Sequence, residues 1–134
     1  MTNDCEGELH PRAKAGIALF NQGRYFEAHE ELEAAWREET GKIRALYQGI
    51  LQVAVAYLHI TRGNYAGALK VYARSSKWLK DWPDVCRGMD VRQLRLEVET
   101  VMQALQKLGA EKISEFDTDL FKPIKQRPNP RPLP

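Results

Sequence analysis

ALYQGILQVAVAYLHI, Ala45–Ile60, is the stretch whose reading decides the fold. On a helical wheel its apolar residues, with Ile43 ahead of them, cover most of the circumference. A helix of that kind is buried in a core or crosses a membrane. The run falls short of the about 20 apolar residues a membrane span needs, and Gln48, Gln52 and His59 interrupt it. It therefore reads as the central helix of a soluble protein, running from about Lys42 to Arg62 with Gly63 as its stop. Gln48, Gln52 and His59 share one narrow stripe beside Ala45, Gly49 and Ala56. If that stripe is buried, its amides need protein, water or ligand partners, because an unpaired buried polar group costs about 1–3 kcal/mol.

Four more helices frame this one. The first runs from Pro11 or Arg12 to Gln22, with proline at a position where its missing N–H is harmless. The second runs from about Tyr25 to Glu39 and closes at Thr40–Gly41. The fourth starts at Asn64, a good N-cap residue, and ends near Asp81, before Trp82–Pro83. After the loop PDVCRGMD, the fifth spans about Val91 to Leu108. Its Leu94, Val98, Val101, Leu105 and Leu108 form one apolar stripe. No alternating run or hairpin dipeptide marks a strand. Short connections predict antiparallel neighbours. The fold class is thus all-α, a compact antiparallel bundle of about five helices.

GRYFEA (Gly23–Ala28) recurs as GNYAGA (Gly63–Ala68). Each copy places a glycine stop, a tyrosine and an alanine at a helix–helix turn. The turn looks like that of tetratricopeptide repeats, although the period exceeds their usual length of about 34 residues. Two TPR-like helical hairpins are expected, not a solenoid. The domain layout is a flexible N-terminus (1–8), a single helical domain (9–120) and a proline-rich basic tail (121–134), extended and solvated.

The chain has 134 residues and a formal net charge of +2, so length fits one domain and charge sets up no strong field toward nucleic acid or membrane. Cys5 and Cys86 are far apart and form no CxxC or Cys/His cluster, which argues against a disulfide framework and a zinc knuckle. MTNDCEGELH is not a signal peptide. A reducing cytoplasm is the expected compartment. Phosphate loops, dinucleotide fingerprints and GxSxG elbows are missing from the sequence. On the fourth helix Lys70, Arg74 and Lys77 share a face near Arg62 and Lys80. No aromatic interleaves there and Asp81 dilutes the charge, so the face reads as solvated, with nucleic acid not an expected partner.

The candidate site begins in FEAHEELEAAW, Phe26–Trp36. Ala28, Leu32 and Ala35 mark the apolar centre of that helix. His29, Glu33 and Trp36 follow at i, i+4 and i+7 along one ridge bordering the core, while Glu30 and Glu31 point further out. Facing ridges on the second and third helices would bring His29, Glu33, Gln48, Gln52 and His59 around one polar cavity. Trp36 would wall it, Arg44 and Asn64 would stand at its rims, and Glu30 would lie at its outer edge. His29, Glu33 and His59 are the candidate catalytic groups: an imidazole oriented and charged by a carboxylate handles protons near neutrality. The same three could hold a divalent metal, although neither HExxH nor the ExxH of di-iron bundles is present. The bland alternatives are a surface ion pair for His29–Glu33 and a satisfied polar network for the glutamine stripe. Trp36, Trp78 and Trp82 read first as packing residues.

The block YFEAHEELEAAWR, then Gly41, then RALYQGILQVAVAYLHITRGNYAGAL resembles the domain-of-unknown-function family 309. The family pattern is matched by Phe26, His29, Glu30, Glu33 and Trp36, then Gln48, Gly49 and Gln52, then His59, then Gly63, Asn64, Gly67 and Ala68. Ile50–Leu51 inverts its usual Leu–Ile. The resemblance covers about Ala18 to Leu79 and implies a small all-α bundle. It carries no reaction, since the family has no established activity, but it marks the same polar positions as the wheel. The partner is expected to be a small polar molecule or a protein, not a membrane. Enzyme, binding protein and structural core remain open alternatives, as do the cofactor and the oligomeric state.

Overall fold

The computed structural model describes residues 4–127. Five α-helices dominate it: α1 (Pro11–Asn21), α2 (Tyr25–Glu38), α3 (Arg44–Thr61), α4 (Tyr65–Leu79) and α5 (Val91–Leu108). Local chemistry sets their ends. Pro11 opens α1, and the His10 side chain accepts a hydrogen bond from the Arg12 N–H at 3.0 Å. Asn64 caps α4 by accepting from the Gly67 N–H at 2.9 Å, and Asp90 caps α5 through Gln93. The paired turns after α1 and α3 both need a left-handed residue, supplied by Gly23 (φ +77°) and Gly63 (φ +74°).

The helices pack in chain order, α1 on α2, α2 on α3 and α3 on α4. As expected, α3 is central: Leu46, Tyr47, Ile50, Val53, Ala54, Ala56 and Tyr57 are fully buried. Leu94, Val98, Val101 and Leu105 of α5 are buried too, whereas Leu108 is half-buried. An aromatic cluster of Phe20, Tyr25, Tyr57 and Phe121 joins α1, α2, α3 and the chain beyond α5. Tyr57 is fully buried and its hydroxyl has no hydrogen-bond partner among the described residues.

Three expectations are corrected. Cys5 and Cys86, whose spacing argued against a disulfide framework, form a disulfide with Cα atoms 4.4 Å apart. Pairing across 81 residues leaves no local spacing to read, and the cysteine argument for a reducing compartment loses its ground. The loop expected to lack strands contains a two-stranded hairpin, β1 (Val85–Cys86) and β2 (Met89–Asp90), turning through Arg87 (φ +48°) and Gly88 (φ +82°). Such two-residue turns ordinarily announce themselves with Asn or Asp before the glycine. Arg87 also holds the N-terminal segment: its side chain donates to the Asp4 and Glu8 carbonyls, and its N–H donates to the Cys5 carbonyl.

The segment expected to be a solvated tail continues after two short 3-10 turns, Ala110–Glu115 and Thr118–Leu120. Its described part packs on the bundle. Phe121 stacks on Tyr57 with ring centroids 4.5 Å apart, and Ile124 is buried. Asn21 grips the Ile124 backbone by donating to its carbonyl (3.1 Å) and accepting from its N–H (2.7 Å). The expectations for residues 1–3 and 128–134 lie outside the described residues. Among those described, no helix is long and apolar enough to cross a membrane.

Candidate functional site

The wheel of α2 holds. Ala28, Leu32 and Ala35 are fully buried, and His29, Glu33 and Trp36 flank them half-buried. His29 Nε2 lies 3.4 Å from Glu33 Oε2, one helical turn on. The other carboxylate oxygen of Glu33 takes the Arg37 guanidinium. The Phe26 ring sits beside the imidazole, with centroids 6.1 Å apart. Glu30 is exposed on the flank beyond His29.

Two cation–ring contacts fix how this ridge meets α3. At one end the Arg44 guanidinium lies over the Trp36 ring, 4.5 Å from its centroid. At the other, Arg62 lies over Phe26 at 5.9 Å. Because α2 and α3 are antiparallel, these two contacts bracket a stretch of the seam between the helices. His29 and Glu33 come from α2; Gln48, Gln52 and His59 come from α3.

The seam is more open than expected. His29 and Glu33 keep 28% and 33% of their side chains exposed, which leaves the ion pair within reach of solvent. Gln48, Gln52 and His59 are half-buried. The expectation of a buried amide stripe is therefore corrected: α3 is central, but this flank emerges beside α2. Among the described residues, the side chains of Gln48 and Gln52 hydrogen-bond to none. His59 does have a partner, since Asn64 Nδ2 lies 3.2 Å from its Nδ1. The Asn64 oxygen is occupied by the Gly67 N–H, so its amide nitrogen faces the imidazole as donor. His59 Nδ1 then accepts, which leaves the ring proton on Nε2. Asn64 holds both α4 and the His59 tautomer. Among the described residues, no three His, Cys, Asp or Glu side chains gather in a set that could hold a metal ion.

A concavity of about 850 Å³ lies beyond the Trp36 end of the seam, between the α2–α3 turn and the end of α4. Of the expected site residues, only Arg44 lines it. Trp78 and Trp82, read as packing, line it with Lys42 and Lys77. Its walls come from separate segments of chain, so no local run of sequence marks it.

The fold is that of a small, mostly helical protein of packed helix pairs. Residues 13–71, from α1 into α4, match the family model described as Domain of unknown function (DUF309), the family that the motif block resembles. An uncharacterized protein of Bacillus subtilis (strain 168), YpuF, is 35% identical over 91 residues, covering 66% of this chain and 52% of that one. An uncharacterized protein of Aquifex aeolicus (strain VF5) is 27% identical over 84 residues, covering 62% of this chain and 25% of that one. The chain spans about half the length of the first relative and about a quarter of the second.

Proposed function

We propose that the seam between α2 and α3 binds a small polar ligand. One observation carries the reading: Gln48 and Gln52 stand side by side on a half-buried helix face with no protein hydrogen-bond partner among the described residues. Each amide offers two donors and one acceptor in a fixed direction. Along the same seam His59 offers its Nε2–H, and the His29–Glu33 pair offers a group that can carry or release a proton. Trp36 and Arg44 bound one end; Phe26, Arg62 and Asn64 bound the other. Should the bound molecule be transformed, His29 is the acid or base and Glu33 its orienting carboxylate. His29, Glu33 and His59, expected as a possible metal set, do not gather as one among the described residues, so the reading is ligand binding without a metal.

The test is ligand-observed NMR against a library of small amides, carboxylates, sugars and nucleobases, on the wild-type chain and on Gln48→Ala/Gln52→Ala. Binding lost in the variant, with its melting temperature preserved, supports the reading. No binding, or binding indifferent to the two glutamines, refutes it. A second reading, in which TPR-like hairpins present the seam to a protein partner, is favoured by the seam's openness, because small-molecule sites usually enclose most of their ligand.

A further inference from the structure

The concavity beyond Trp36 has a chemistry of its own. Lys42 and Arg44 sit at the N-terminal end of α3, whose first turn contains no acid. Cations are disfavoured there, because the helix macrodipole is positive at that end. Lys77 joins them from α4. Among the described residues none of the three forms an ion pair, whereas Arg12, Lys14, Arg24, Arg37 and Arg95 all do. The Nε of Arg44 is buried and hydrogen-bonds to no described residue. Lys42 and Arg44 stand against the helix dipole of α3, and none of the three cations has a carboxylate partner among the described residues. They suit an anion.

The apolar part of the lining is equally specific. Trp78 keeps 41% of its surface exposed, and the half-buried Trp82 lines the same concavity. Flat indole faces next to cations recognise a planar ring carrying a negative group. The volume, about 850 Å³, falls in the range of about 300–1,000 Å³ typical of small-molecule sites. Asp4 and Asp81 also line the concavity. They can accept hydrogen bonds from hydroxyl or amino groups, and a phosphate must sit on the side of the three cations, away from them.

We infer that this concavity binds a mononucleotide-like ligand, a planar aromatic ring bearing one phosphate, with the ring against Trp78 and Trp82 and the phosphate held by Lys42, Arg44 and Lys77. The inference does not rest on the reading of the seam. Lys42, Lys77, Trp78 and Trp82 lie outside the seam, so either reading can fail alone.

The test is titration of the full chain with AMP, GMP, adenosine, inorganic phosphate and a single-stranded oligonucleotide, read by tryptophan fluorescence and calorimetry. AMP or GMP is expected to bind with a Kd below about 1 mM. Lys42→Ala/Lys77→Ala, two exposed positions, should weaken the nucleotide about tenfold or more and leave adenosine unchanged. Trp78→Ala should weaken nucleotide and adenosine alike. Four results would overturn the inference: no mononucleotide binding, binding indifferent to both lysines, phosphate alone binding as tightly as AMP, or the oligonucleotide binding more tightly than AMP.

Discussion

Gly49 of α3 faces Leu79 of α4 with no room for a side chain between them: a Cβ built on Gly49 would lie 2.6 Å from Leu79 Cδ2 and 2.9 Å from its Cγ. In an exposed helix, Gly→Ala stabilises by about 1 kcal/mol. Here the sign reverses, because Leu79 is buried and the Trp78 Cβ stands 3.2 Å away on the same side. Gly49→Ala is expected to lower the unfolding free energy by about 1–3 kcal/mol, measured by urea denaturation. A stabilised variant would mean that the α3–α4 contact yields freely.

Tyr57 gives a second prediction. Its hydroxyl is buried without a partner among the described residues, so Tyr57→Phe removes a desolvated polar group and little packing. The variant should be as stable as the wild type, or more stable by about 1 kcal/mol. A loss above about 1 kcal/mol would show that the hydroxyl makes a bond that matters.

The same tyrosines set an alkaline limit. Burial pushes the Tyr25 hydroxyl up to about 12, and pushes Tyr57 up further, with the nearby Tyr25 and Glu97 adding to the rise. Tyr47 is raised too, chiefly by burial. In the unfolded chain a tyrosine ionises near its ordinary value of about 10. Above that pH the unfolded state releases protons that the folded state retains, so stability falls as pH rises. Below it these hydroxyls are neutral in both states and contribute no slope. Chemical denaturation from pH 8 to 12 (about the tyrosine range) should give a flat region followed by a decline beginning near pH 10, shallower in Tyr57→Phe.

These predictions concern regions of unequal legibility. The wheel of α2 located Ala28, Leu32 and Ala35 in the core because a helix buries one face at a fixed period. The α5 stripe was legible for the same reason. Gly23 and Gly63 marked turns because few other residues take a positive φ cheaply. Periodicity also placed His29, Glu33, Gln48 and Gln52 at the borders of apolar faces, and each is half-buried. Their exposure did not follow, because a wheel gives direction and not the depth of the neighbouring helix. Phe121 and Ile124 were hidden in a stretch of prolines and cations without period, where two apolar side chains leave no pattern. The Trp78 concavity depends on the approach of separate segments, which no local signal encodes.

For the His29–Glu33 pair, exposure decides the magnitude. Both side chains reach solvent, and helix-surface pairs one turn apart contribute about 0.2–0.5 kcal/mol. His29→Ala should therefore change the unfolding free energy by less than about 1 kcal/mol. A larger loss would make His29 a structural residue and weaken its candidacy as a functional one. A small loss leaves the fold intact for the ligand test.

The Cys5–Cys86 bridge ties the N-terminal segment to the β1–β2 hairpin, and Arg87 clasps the same segment through three carbonyls. It closes a long loop, with 81 residues of sequence separation. Cross-linking such a loop restricts the unfolded chain, an effect of about 2–4 kcal/mol in typical proteins. The hairpin also pairs with the chain beyond α5: the Asp90 N–H donates to the Lys125 carbonyl, and the Arg127 N–H donates to that of Gly88. Loosening it should therefore loosen residues 121–127 as well. Cys86→Ser, or the wild type under reductant, is expected to lose about 2–4 kcal/mol in urea denaturation. Hydrogen exchange should rise at Asp90, Ile124 and Arg127, and not in the middle of α3. Equal stability with and without reductant, in protein whose intact mass confirms the bridge, would leave the Arg87 clasp as sufficient to hold the segment. In that case Arg87→Ala, and not Cys86→Ser, should release it.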